Sequence, residues 1–99
     1  MEIRQKREGS TLTIEIEGTI DTFTAPELGK VIDNGLDGVT RLIFDLKDMD
    51  YISSAGLRVL LSAHKKMIGK NGMLLKNVCE EIMEIFEVTG FIDMFQVGE

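Results

Sequence analysis

The chain has no tryptophan, and its 99 residues include only one cysteine, one histidine and one proline. Each scarcity closes a route. With Cys79 alone there is no internal disulfide, so the fold does not depend on an oxidising compartment. Neither a dithiol redox pair nor a sulfur-ligated zinc site is available either. His64 is the sole histidine, and it falls on the apolar stripe of an expected helix, where a packed or boundary role is the plainer reading. No window approaches the ~20 apolar residues of a membrane-spanning helix. The start, Met1-Glu2-Ile3-Arg4-Gln5-Lys6-Arg7, has no apolar stretch behind its charges, unlike a signal peptide. The expected location is the cytoplasm, with no direct membrane insertion.

Basic residues are also in short supply. Lys+Arg number 11 against 17 Asp+Glu, a net charge of −6, and an acidic chain is a poor partner for nucleic acid, whose phosphates need a basic face. A glycine-rich phosphate loop is missing, since Gly69-Lys70-Asn71-Gly72 stands at a helix end, where phosphate would meet the negative pole. Asp45, Asp48 and Asp50 lie close in sequence, but with nothing else to hold a cation they read as a solvated loop. No catalytic residue, cofactor or metal is expected, and the chain reads as a non-enzyme.

What is present is a well-ordered alternation of short elements. With 43% hydrophobic and 28% charged residues, the composition is that of one globular domain, expected to span residues 1–99. Glu2 to Arg7 reads as a polar edge strand, joined through a turn at Gly9-Ser10 to Thr11–Glu17. That segment alternates strictly, with Leu12, Ile14 and Ile16 on one face. Thr24-Ala25-Pro26-Glu27 predicts a helix start, with Thr24 as cap and Glu27 completing a capping box. Leu28, Val31, Ile32 and Leu36 follow at helical spacing, and Asn34-Gly35 with Gly38 ends the element. Arg41–Leu46 is a mostly apolar run, the pattern of a strand covered on both faces.

A second helix is expected from Ser53-Ser54, with a stripe of Leu57, Leu60, Leu61, His64, Met67 and Ile68 and a left-handed stop at Asn71-Gly72. Met73–Asn77 reads as a short strand. A third helix from about Glu80, where Cys79 stands in for a small N-cap residue, buries Ile82, Ile85 and Phe86 and stops at Thr89-Gly90. A helical turn around Phe91–Met94 precedes a last strand, Phe95–Val97. The order β-β-α-β-α-β-α-β implies an α/β fold with a mixed, mostly parallel sheet and helices packed on it. In such sheets partners meet the loops beyond the carboxyl ends of the strands. Here those are Ile20–Phe23, Lys47–Ser54 and Asn77–Cys79.

One segment asks for more than packing. In Asp50-Tyr51-Ile52-Ser53-Ser54-Ala55-Gly56-Leu57-Arg58, two serines stand where a loop becomes a helix, with a glycine in the first turn. Capping explains one serine. It does not explain Gly56, which lowers helix stability relative to Ala. A helix N-terminus offers unpaired N–H groups and a partial positive charge, so a phosphoserine dianion is tolerated there. On this reading Gly56 leaves the corner open to an approaching kinase.

Several motifs taken in order resemble those of STAS domains, in particular the bacterial anti-sigma factor antagonists. They are Gly18-Thr19-Ile20-Asp21, Phe44-Asp45-Leu46 followed by Tyr51–Leu57, Gly69 with Gly72, and Phe86-Glu87-Val88-Thr89-Gly90-Phe91. The resemblance runs from about Ser10 to Val97. It implies a partner-switching role: the unmodified antagonist binds an anti-sigma factor that is itself a serine kinase, so freeing a sigma factor. Phosphorylation breaks the complex, and a serine phosphatase restores it.

Alignment on Gly56-Leu57 places the phosphorylated serine at Ser54. Antagonists switched this way commonly carry Asp just before that serine; this chain has Ser53, which is therefore the second candidate. Asp21 matches an acidic position beside the site and is expected to be exposed there. The expected partner-binding set is Asp21, Thr22, Asp50, Tyr51, Ser53, Gly56 and Arg58. The alternative is a STAS subunit of a transporter or signalling scaffold that works without phosphorylation.

Overall fold

The computed structural model describes residues 1–98. Its elements are β1 (Glu2–Glu8), β2 (Thr11–Ile20), α1 (Ala25–Gly35), β3 (Arg41–Ile52), α2 (Ser54–Met67), β4 (Met73–Lys76), α3 (Glu80–Thr89) and β5 (Gln96–Gly98), with a 3-10 turn at Phe91–Asp93 before the last strand. The sheet runs β1-β2-β3-β4-β5, antiparallel between β1 and β2 and parallel thereafter. The element order, the polar edge strand and the parallel crossovers all agree with the sequence reading. Helix α3 stops as expected at Gly90, whose φ of 83° is left-handed backbone that glycine adopts without strain.

Two strands are longer than their alternation suggested. β3 continues past Leu46 to Ile52, so Asp48 and Asp50 lie on a strand and not in a loop. Its inward residues change spacing after Leu46, with Met49 and Ile52 buried at intervals of three where a pleated strand repeats every two. The cause is a pair of register shifts against β2, between Glu15 and Glu17 and between Gly18 and Thr19. An irregular pair of strands defeats a search for period two.

The sheet is also one-sided. Leu42, Phe44 and Leu46 are buried, whereas Arg41, Ile43 and Asp45 between them are only half-buried, which corrects the expectation of a strand covered on both faces. Consecutive parallel strands joined by crossovers of one hand place every helix on the same side. The buried face joins Leu12, Ile14, Ile16, Leu42, Phe44, Met73 and Leu75 of the strands to Leu28, Ile32, Leu57, Leu60, Met67, Ile82 and Phe86 of the helices in one apolar cluster. The opposite face is polar. Arg4 on β1 reaches Glu2, Glu15, Glu17 and Asp48 within 4 Å, and Lys6 reaches Glu15.

Helix ends carry the remaining corrections. Thr24 is helical in backbone and makes no side-chain cap to α1, so the expected capping box does not form. Helix α2 ends at Met67 and Ile68 turns extended, leaving Ile68 68% exposed where the stripe reading had buried it. Gly69 and Gly72 then take the left-handed backbone. Cys79 does occupy the N-cap position of α3, but its side chain makes no capping hydrogen bond. His64 is half-buried, its ring edge-on to Phe95 at 5.9 Å, the boundary role read from its stripe. Phe95 lies just before β5 and is buried, packed also against Phe86 and Phe91.

Candidate functional site

The site is built where β2 and β3 leave the sheet side by side. Ile20 pairs with Ile52, and the N–H of Ser53 donates to the Ile20 carbonyl at 2.8 Å, carrying the ladder one residue past both strands. From that point β2 turns through Asp21–Thr24 into α1 while β3 passes directly into α2. Both connections therefore open at the carboxyl end of the sheet.

Asp21 organises the first connection. Its Oδ1 accepts the backbone N–H of Phe23 at 2.8 Å and of Thr24 at 2.9 Å. Its carbonyl accepts Ala25 N–H at 2.8 Å. The Thr24 hydroxyl in turn accepts Asp21 N–H at 2.8 Å and donates to the Thr19 carbonyl at 3.0 Å. This is an Asx turn locked from both ends, and it does the work at the start of α1 that the capping box was expected to do. Asp21 is consequently half-buried where it was expected to be exposed, and it makes no ion pair among the described residues. The Thr24 N–H is the largest cause holding its carboxyl below the ordinary value; burial opposes it, and the Phe23 N–H, the Thr24 hydroxyl and the N-terminal amine carry the balance downward.

The second connection separates the two serines. Ser53 is the N-cap of α2, with extended backbone (φ −87°, ψ 174°), and its Oγ accepts Gly56 N–H at 3.3 Å. Ser54 is the first helical residue and is exposed, and its hydroxyl makes no hydrogen bond among the described residues. Gly56 has the opposite character to that expected. It is buried, and a Cβ there would stand 2.6 Å from Ile52 Cγ1 and 2.7 Å from Ile20 Cγ2. The glycine lets α2 close onto the ends of β2 and β3; it does not open the surface.

The remaining expected residues fall around this corner. Asp50 and Tyr51 are exposed near the end of β3, and Thr22 is exposed on the Asx turn. Arg58 follows Ser54 by four residues on α2, which puts the two side chains on one helical face. Arg58 also borders a shallow groove of about 180 Å³ between α1 and α2, with Gly29, Ile32, Asp33, Val59 and Ser62. The sequence reading placed Phe23 in a partner-facing loop but not in the binding set; it is 91% exposed on the Asx turn. The available signal was an aromatic residue between two threonines that no helical or strand periodicity claimed.

Asp45 stands apart from this corner. Burial raises its carboxyl pKa, but the Asn77 amide at 2.9 Å, the Lys47 N–H at 3.1 Å and the charges of Lys76 and Lys47 outweigh that and hold it below the ordinary value. Asp45, Asp48 and Asp50 do not converge, and among the described residues no group of three His, Cys, Asp or Glu could hold a metal ion. Among the described residues, no helix is long and apolar enough to cross a membrane.

Comparison with known proteins gives the corner its context. The sequence is 36% identical over 87 residues to BtrV of Bordetella bronchiseptica, provisionally named an anti-sigma factor antagonist; the match covers 84% of this chain and 73% of BtrV. In fold it is similar to an anti-sigma factor antagonist from Mycobacterium paratuberculosis, at a TM-score of 0.87 and 22% identity, over 97% of this chain and 83% of that one. It is similar also to the Bacillus cell fate determinant SpoIIAA, solved in its phosphorylated form, at a TM-score of 0.68 and 16% identity, over 99% of this chain and 92% of that one. The model of the STAS domain matches residues 2–99. Carrying that match from end to end, the chain belongs to the STAS domain family.

Proposed function

We propose that this protein is an anti-sigma factor antagonist, a binding module acting as one unit over residues 1–99, switched by phosphorylation of Ser54. The observation that carries the reading is the division of labour between the serines. The Ser53 hydroxyl is engaged in capping α2, while the Ser54 hydroxyl beside it is exposed and uncommitted at the helix N-terminus. A phosphate on Ser54 meets the positive pole of its own helix and a guanidinium four residues on, so the modified chain stays folded. A partner packed against the neutral hydroxyl instead meets about two added negative charges.

The partner is an anti-sigma factor with serine kinase activity, held at Asp21, Thr22, Asp50, Tyr51, Ser53 and Arg58, with Gly56 fixing the approach of α2 beneath them. A serine phosphatase resets the switch, and the cycle runs in the cytoplasm. No step of it asks for catalysis by this chain. The kinship with BtrV and the SpoIIAA fold, which has a phosphorylated form, support the reading.

Phosphosite mapping after incubation with the anti-sigma factor kinase and ATP tests it, with binding measured for each variant. Phosphate is expected on Ser54. Ser54→Asp is expected to fold normally and lose roughly 100-fold or more in affinity, as charge buried against an unprepared surface does. Ser54→Ala is expected to bind and resist release by ATP. Phosphate on Ser53 moves the switch by one residue. Phosphate on neither, with binding indifferent to Ser54→Asp, leaves the transporter or scaffold subunit as the reading.

A further inference from the structure

Arg58 has no settled partner in the unmodified chain. It is exposed on α2 and makes neither an ion pair nor a side-chain hydrogen bond among the described residues. It borders the groove of about 180 Å³ between α1 and α2, whose one acidic lining residue is Asp33. That carboxylate is already engaged, because Lys66 Nζ donates to Asp33 Oδ1. Arg58 thus lines the groove with its donor fork unused.

Helix geometry brings that fork within reach of Ser54. The two are the first and fifth residues of α2, so their Cβ atoms stand roughly 5–6 Å apart on one face. Side chains of a helix lean toward its N-terminus, and the longer residue is the later one, so Arg58 reaches back toward Ser54. The spacing is rigid, since Gly56 between them is packed against Ile20 and Ile52. An anion four residues before a cation is also the favourable order for such a pair. A serine hydroxyl gives a guanidinium little to hold. A phosphate offers three acceptor oxygens and about two negative charges, and arginine's planar fork matches it with two parallel hydrogen bonds.

We infer that Arg58 is the charge partner of phosphorylated Ser54, and that its capture withdraws the guanidinium from the groove between α1 and α2. The inference rests on the reading of Ser54 as the modified serine, and it gives the switch a second arm. The phosphate adds charge at the corner. At the same time it removes from the partner an arginine of the binding set, and so alters a groove whose other wall is α1.

The test installs phosphoserine at position 54 during translation, so no kinase is needed, and follows phosphorus and amide NMR signals at low and high salt. Wild type is compared with Arg58→Gln, Arg58→Lys and Lys47→Gln, Lys47 being an exposed cation on the strand that leads into α2. A nearby cation favours the dianion, so the midpoint of the phosphate's second ionisation is expected about 0.5 pH unit higher in Arg58→Gln than in wild type. Arg58→Lys, a point charge without the fork, is expected to fall between them, and Lys47→Gln to match wild type. The difference is expected to shrink at high salt, as for any exposed pair. Phosphorylation is expected to move the Gly29 and Ile32 amide signals of the groove in wild type and to leave them in place in Arg58→Gln.

Equal midpoints in wild type and Arg58→Gln, or a midpoint that moves with Lys47→Gln instead, overturn the pairing. Groove signals that still move in Arg58→Gln overturn the withdrawal from the groove. Treatment with the anti-sigma factor kinase keeps the two readings apart. Phosphate on Ser54 with equal midpoints overturns the pairing and leaves the switch standing. No phosphate on Ser54, with the midpoint difference present in the installed form, overturns the switch and upholds the pairing.

Discussion

Gly56 lies so close to Ile20 that a single added carbon would sit 2.7 Å from Ile20 Cγ2. This contact welds the first turn of α2 to the last residue of β2, and it does so next to the serine proposed as the switch. The position of Ser54 is thus set by core packing two residues further along the chain. The exposed serine is held in place by a buried apolar contact that lies beneath the surface.

Gly56→Ala is the direct check. In an open helix the change would stabilise by up to ~1 kcal/mol. Here the methyl meets both Ile20 and Ile52, and overpacking of that kind costs ~1–3 kcal/mol. The net expectation is a loss of stability in denaturant titration, accompanied by weaker partner binding as α2 shifts. A stabilised variant would mean that the isoleucines yield freely.

The two serines should separate in stability as they do in geometry. Ser53→Ala removes the cap and is expected to cost ~0.5–2 kcal/mol by denaturant unfolding. Ser54→Ala removes an exposed hydroxyl and is expected to stay within about 0.5 kcal/mol of wild type. Equal losses would contradict the assignment of Ser53 as the cap.

Asp21 sets a pH signature in the turn. Its folded carboxyl titrates below the unfolded one because the charged form accepts the Thr24 and Phe23 N–H groups. A depressed acid contributes stability that is present above its unfolded pKa of about 3.9 and is lost as pH falls through the lower folded value. The Phe23 and Thr24 amide protons should therefore hold their NMR shifts down to about pH 4 and move only below it, where the carboxylate protonates. In Asp21→Asn that acid transition should vanish.

Phe44 tests the core. It is 0% exposed on β3, the central strand of the sheet, under the helical layer. Phe44→Ala should cost ~3–5 kcal/mol in denaturant unfolding, the range for emptying a buried aromatic site. A loss under about 1 kcal/mol would contradict its central place.

The regular parts of the fold were legible because each obeys a local rule. Leu12, Ile14 and Ile16 alternate; Gly90 stops a helix in the backbone only glycine takes freely; the strand–helix alternation gives the parallel sheet. What escaped depends on two segments at once. The extension of β3 to Ile52 comes from register shifts against β2, and nothing in β3 alone announces them. Gly56 looked like an opening because its constraint comes from Ile52 and Ile20 together, and Ile20 is far away in sequence. Thr24 fits a capping motif, but the Asp21 carboxylate takes the Thr24 N–H that Glu27 would have accepted, and the Thr24 hydroxyl turns back to the Asp21 N–H and the Thr19 carbonyl. Ser53 and Ser54 were legible as a pair, and only the cap geometry divides their roles.

The strand order β1-β2-β3-β4-β5 is the chain order, which has a kinetic meaning. Each strand after β1 pairs with the strand before it in the chain, so no gap has to be held open for a later insertion. β2 and β3 form the long central pair, and β5, with three residues, is the last and shortest addition. The corner carrying Asp21 and Ser54 belongs to the segments made first. Fraying at the three-residue β5 edge is separated from the corner carrying Asp21 and Ser54 by the whole of β4.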